Sequence, residues 1–156
     1  DAKTLVLIAA EQNGENIGKI RLAHIKNASS DTINAALCSM VEAGSLITTD
    51  GWTGYAKLKD IRCKHQVVRS FSSVEENLLP RYHRVANLMK RWIMGTLQGS
   101  LSEKHLQDYL NEFTFRFNRR ASASRGKLFY RLAQMSVQFK PTSYEKIINP
   151  QHVRGG

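Results

Sequence analysis

The stretch Thr4 to Glu11, TLVLIAAE, restricts this chain most. Its apolar part, Leu5 to Ala10, is the longest uninterrupted apolar run in the sequence. It falls far short of the ~18 residues a membrane-crossing helix needs, and its length suits a strand. The run leads into the turn Asn13-Gly14-Glu15-Asn16. A second strand-like segment, Ile17 to Lys26, follows with Ile20, Leu22 and His24 in alternation. Asn-Gly between two strand patterns signals a hairpin, so the segments are expected to pair antiparallel.

The period then changes. Ser29, Ser30 and Asp31 offer an N-cap and a negative first turn to a helix with Ile33, Ala36, Leu37, Met40 and Val41 at helical spacing. Gly44 is expected to end it. Ser45 to Thr49 (SLITT) reads as a short strand with Asp50 at its end. A sharp turn at Gly51-Trp52-Thr53-Gly54, a helical turn over Tyr55 to Lys59 and a strand over Lys64 to Ser70 come next. Ser72 to Pro80 reads as a loop. Three helices follow, over about Tyr82–Thr96, Ser102–Arg119 and Lys127–Phe139, before Pro141. The order predicts an α/β fold with a mixed sheet flanked by helices and one strand–helix–strand crossover. With no repeat or linker, a single domain is expected over 1–148, with 149–156 as a loose tail.

Charge adds a chemical hint. Lys and Arg number 23 against 13 Asp and Glu, a net charge of +10. Neutralising phosphates releases counterions, so a basic domain suits a polyanionic partner, although simple solubility gives the same balance. Cys38 and Cys63 cannot form a disulfide framework. The composition, with 42% hydrophobic and 23% charged residues, is that of a folded protein. It excludes a membrane protein, a disulfide-stapled secreted module and a disordered tail. No basic-then-apolar leader is seen.

Two segments place chemistry-bearing residues. In α/β sheets ligands gather beyond the carboxyl ends of strands, where Asp50 is expected to sit between flexible glycines. An aspartate there also commonly bonds its own turn. In LPRYHRVANLMKRW, Val85, Leu88, Met89 and Trp92 share one helix face, and His83, Asn87 and Lys90 share the opposite one. Those three read equally as a solvated face. Their spacing from Asp50, with a metal-capable residue 33 positions on and a lysine seven beyond, matches a known layout for two-metal phosphoryl transfer.

TDGWTGY at Thr49 to Tyr55, HRVANLMKRWIMGTLQG at His83 to Gly99, YLNEFTFRFNRR at Tyr109 to Arg120 and SRGKLFYRL at Ser124 to Leu132 together resemble insertion-sequence transposases of the DDE superfamily, in the family fifteen-ninety-five branch. The resemblance runs from about Lys3 to Tyr144. It implies an RNase H-like fold and metal-dependent DNA cleavage and strand transfer. Asp50 becomes the second catalytic aspartate and a metal ligand. His83 stands where the superfamily usually has glutamate, and Lys90 matches the family lysine. Imidazole is softer than carboxylate and suits Mn2+ better than Mg2+. The resemblance also implies transposon-end and target DNA as partners, a homodimer or larger assembly, and a cytoplasmic, nucleoid-associated protein with no membrane partner. The family's first strand, with its first catalytic aspartate, lies upstream of the segment matching LVLIAAE. The chain is therefore expected to be incomplete at its N-terminus and inactive alone.

Other residues have plainer readings beside functional ones. Leu106, Tyr109, Leu110, Phe113 and Phe117 form a helical core stripe. Arg116, Arg119 and Arg120, with Arg125 beyond, are candidates for phosphate contact, as are Lys90 and Arg91. Glu112 is expected to pair with an arginine rather than replace a ligand. Trp52 either packs under the site or stacks on an unpaired base. The C-x-H pair Cys63 and His65 lacks the partners of a zinc site. Beside the transposase, two readings stay open: a basic nucleic-acid-binding domain without chemistry, and an RNase H-like nuclease remnant.

Overall fold

The computed structural model describes residues 4–60, 63–68, 79–96, 102–138 and 141–148. The chain divides into two compact units, Asp1–Asn118 and Arg119–Gly156.

In the first unit, β1 (Leu5–Asn13) and β2 (Asn16–Ile25) form the expected antiparallel hairpin. Asn13 faces Asn16 across a two-residue loop, and Gly14 takes φ +57°, which glycine adopts without a Cβ penalty. The register shifts between Ala10 and Gln12. At this irregularity the Glu11 carboxylate accepts the Lys19 N–H at 2.8 Å.

The continuous apolar run of β1 has a direct structural cause. Val6, Ile8 and Ala10 pack against one core, built on Ile20, Leu22, Val85, Met89, Leu106, Leu110, Phe113 and Phe117. Leu5 and Leu7 belong to a second core with Ile25, Ile33, Leu37 and Leu58. Strand side chains alternate between faces, so a strand covered on both sides needs apolar residues at every position. Helix α1 (Ser30–Met40) supplies Ile33 and Leu37 to the second core. Helices α2 (Pro80–Thr96) and α3 (Leu106–Asn118) supply the first.

Ser29 caps α1, its side chain accepting the Thr32 N–H at 3.3 Å. Gly44 does not end this helix. Val41 already leaves it in extended conformation, its side chain packed against the second core, and its N–H donates to Leu37 O at 2.9 Å. Gly44, at φ +86°, instead turns the chain toward β3 (Leu46–Thr49). β3 pairs in parallel with β4 (Lys64–Val67), and a 3₁₀ segment, Thr53–Asp60, lies between them. The single mixed sheet expected from sequence thus takes the form of two two-stranded ladders among the described residues. What joins them is the second core, to which Leu7 and Ile25 of the hairpin belong and against which Ile47 of β3 packs. Pro80, read from sequence as loop, is the first residue of α2, where its missing N–H is not needed. Most of the expected 72–80 loop, residues 69–70 of the expected β4, Phe139 and the 149–156 tail lie outside the described residues.

Two carboxamides on α3 fasten it to the outer edge of β2. Asn118 accepts the Ile20 N–H at 2.7 Å and donates to the Ile20 carbonyl at 2.9 Å. Gln107 accepts the His24 N–H at 2.9 Å and donates to the Leu22 carbonyl at 3.3 Å. The amides stand in for a neighbouring strand and blunt an otherwise open edge.

In the second unit, α4 (Arg125–Ser136) and α5 (Tyr144–Ile148) follow one another, and Phe129, Tyr130, Leu132 and Val137 are exposed.

Asn118→Ala strips the Ile20 N–H and carbonyl of their partners in a part-buried setting. It should cost about 1–3 kcal/mol in urea unfolding. Arg116→Ala, which breaks the exposed 3.3 Å pair with Glu112 one helical turn earlier, should cost no more than about 1 kcal/mol.

Candidate functional site

The strand end is built around Thr49, a buried polar residue at 6% exposure. In the parallel register Ile47 faces His65 and Thr49 faces Val67. The Thr49 hydroxyl meets His65 Nε2 at 2.9 Å and lies 3.4 Å from the Gly51 N–H. His65 thereby braces the backbone on which Asp50 stands.

Asp50 is exposed at the end of β3. Gly51 takes φ +79°, and the Trp52 N–H donates to Asp50 Oδ1 at 3.2 Å. The turn-aspartate reading therefore holds for one oxygen. The other has no hydrogen-bond partner among the described residues and is available to a cation. Trp52 is 47% exposed, and its ring meets that of Tyr55 edge-on, with centroids 5.6 Å apart.

Tyr55 follows this turn, packed against the second core. Its phenol pKa is raised above the ordinary 10.0, first by burial, then by the negative charge of Asp50, then by Tyr82. Tyr82 belongs to the first turns of α2 and lies edge-on to the His83 ring at 5.2 Å. The strand-end acid and the start of α2 thus act on one phenol.

On α2 the two faces separate as expected. Val85, Ala86 and Met89 are buried, Leu88 and Trp92 partly so. His83, Asn87 and Lys90 are exposed and line one open depression with Arg84 and Arg91. The Arg81 guanidinium donates to the Gly14 carbonyl at 2.7 Å and ties the start of α2 to the hairpin turn.

Among the described residues, no three His, Cys, Asp or Glu side chains come together to hold a metal ion. Asp50 and His83 are two donors of suitable chemistry, and on their own they do not fit a two-ion centre.

Residues 1–118 match the family profile of the ISXO2-like transposase domain. The chain belongs to this transposase family. The matched stretch ends where the first compact unit ends, so SRGKLFYRL lies beyond it. No curated protein matches the chain, and no solved structure does.

The remaining candidate residues fall in both units. Arg116 is exposed and paired with Glu112, as the sequence suggested. Arg119 is half-buried and Arg120 exposed, both in the second unit. The Arg125 side chain lies outside the described residues. Cys63 donates its thiol to the Glu42 carbonyl at 3.6 Å, and His65 is taken up by Thr49. His65 and Tyr55 are the site residues that sequence reasoning missed. Only the register of β3 on β4 brings the histidine to Thr49.

The phenol of Tyr55 stays protonated at neutral pH. Because its folded-state pKa is raised, the stability tied to its neutral form is complete below pH ~10 and is lost as pH rises through the higher folded value. Alkaline titration of tyrosinate absorbance should show a late-ionising group that Tyr55→Phe removes.

Proposed function

We propose that this chain serves DNA transposition through an RNase H-like catalytic domain. In this reading Asp50 and His83 would help hold a divalent ion, Mg2+ or Mn2+, together with donors not among the described residues. The carrying observation is that an exposed aspartate at a parallel strand end and an exposed His83–Lys90 face on α2 both lie inside the family-matched stretch. Such an ion would supply Lewis-acid stabilisation of the charge that develops on phosphodiester oxygens.

The chain's own residues have separate tasks in this reading. His65 and Thr49 hold the strand end, and the Trp52 N–H fixes the Asp50 carboxylate so that one oxygen is free. Lys90 and Arg91 take the DNA phosphate beside the reacting bond. Arg116, Arg119, Arg120 and Arg125 are further phosphate contacts. Transposon ends and target DNA are the partners, and the working form is a homodimer or larger assembly in the cytoplasm, associated with the nucleoid when DNA is bound. No helix among the described residues is long and apolar enough to cross a membrane.

A second reading, a domain that binds DNA without cutting it, is favoured by the net charge of +10 and by the two-donor set. Both readings require salt-sensitive binding to duplex DNA, because counterion release drives it. Affinity should fall steeply as salt rises, and Lys90→Ala should reduce the log–log salt slope by about 1. Salt-independent affinity, or none at low salt, would refute both.

Nicking separates the two. Nicking of labelled DNA by a polypeptide that contains this domain should depend on Mn2+, and Asp50→Ala should abolish it while sparing salt-sensitive binding. Nicking that survives Asp50→Ala would place the chemistry elsewhere.

A further inference from the structure

Trp52 is exposed and yet held. The space over Gly54 is filled by its indole, so that any Cβ at this position would collide with the ring. Its edge meets the Tyr55 ring at an interplanar angle of 84°. Tyr55 is itself packed against the core of Leu37 and Leu58. The Trp52 backbone is fixed at both ends, its N–H donating to Asp50 and its carbonyl accepting the Tyr55 N–H at 3.0 Å. Large side chains normally lose rotamer freedom when a partner orders them. Here folding has already removed much of that freedom, and 47% of the residue still faces solvent.

We propose that the outward face of the Trp52 indole is a stacking platform for one unpaired nucleobase of single-stranded DNA, beside the Asp50 carboxylate. The inference rests on the nucleic-acid reading of the chain and adds a base contact to its phosphate contacts. Every nucleobase has a π-face that an indole accepts without regard to sequence. In a duplex those faces are covered by neighbouring bases, so the platform selects a splayed or single-stranded nucleotide. Gly51 and Thr53 on either side add no apolar area, which favours a single planar group over a broad protein contact. The net charge of +10 and the cationic α2 face supply the attraction for a polyanion that a lone aromatic ring lacks.

The test uses the full chain and a labelled single-stranded oligothymidylate, an abasic strand of equal length and a duplex. The base-bearing strand should bind about tenfold or more tightly than the abasic one. Trp52→Ala should remove this difference and leave abasic binding unchanged, and Trp52→Phe should keep most of it. Gly54→Ala should act like Trp52→Ala although the indole is still present, because it displaces the ring. Lys90→Ala combined with Arg91→Ala should weaken all three ligands alike. Photo-crosslinking of the unaltered protein to a 5-iodouracil strand should label the peptide containing Trp52, a readout independent of how the variants fold. Equal binding of base-bearing and abasic strands, equal weakening of both by Trp52→Ala, or crosslinks only elsewhere would overturn the platform while leaving DNA binding intact. No binding to any strand at low salt would overturn the nucleic-acid reading itself.

Discussion

A strand with apolar side chains on both faces has to be covered twice, and β1 imposes that condition on the first unit. Leu5 and Leu7 draw α1 and the β3 segment to one side of the hairpin, while Val6, Ile8 and Ala10 draw α2 and α3 to the other. Full burial of each such side chain contributes on the order of 1.5–3 kcal/mol, so neither face can be left against water cheaply. Hydrophobic contact alone leaves a helix free to slide. The Asn118 and Gln107 carboxamides, 11 residues apart on α3, bond to the β2 backbone at Ile20, Leu22 and His24 and fix the helix in register. Arg81 does the same for the start of α2 at the hairpin turn.

The candidate site follows from this arrangement. α2 must turn Val85 and Met89 toward the hairpin, which sends His83, Asn87 and Lys90 outward. β3 must keep Ile47 in the second core, which carries Thr49 inward and leaves Asp50 beyond the strand end. Tyr55 lies on the margin of that core and responds to both Asp50 and Tyr82. The site is thus a by-product of packing on the buried side, with its polar groups on elements whose apolar faces are committed. The transposase family supplies the chemical context, and the cationic α2 face and exposed indole agree with a nucleic-acid ligand.

Much of the local structure was legible along the chain. The hairpin followed from Asn13-Gly14 between two strand patterns, the start of α1 from Ser29, and the two faces of α2 and α3 from apolar spacing. These features depend on residues a few positions apart, where dihedral preference and side-chain period act directly. Element ends were less legible. Val41 leaves α1 early because its side chain packs against the core, and Pro80 opens a helix because its fixed φ and absent N–H suit a first position as well as a loop. Asp50, His83 and Lys90 could be singled out from spacing and from the resemblance of the surrounding motifs.

The sequence by itself determined which residues are apolar on which face, where the hairpin turns and α1 begins, the cationic balance and the family motifs. Tertiary structure alone decided that the strands form two ladders joined through a shared core, that Asn118 reaches Ile20 across 98 positions, and that His65 meets Thr49 across a parallel pair. It also decided that the Trp52 indole lies over Gly54 while 47% of the residue stays exposed. The physical reason is the range of the interactions. Propensity, capping and periodicity act within about two helical turns, whereas strand register and side-chain-to-backbone bonds join segments brought close only after both faces of β1 are covered.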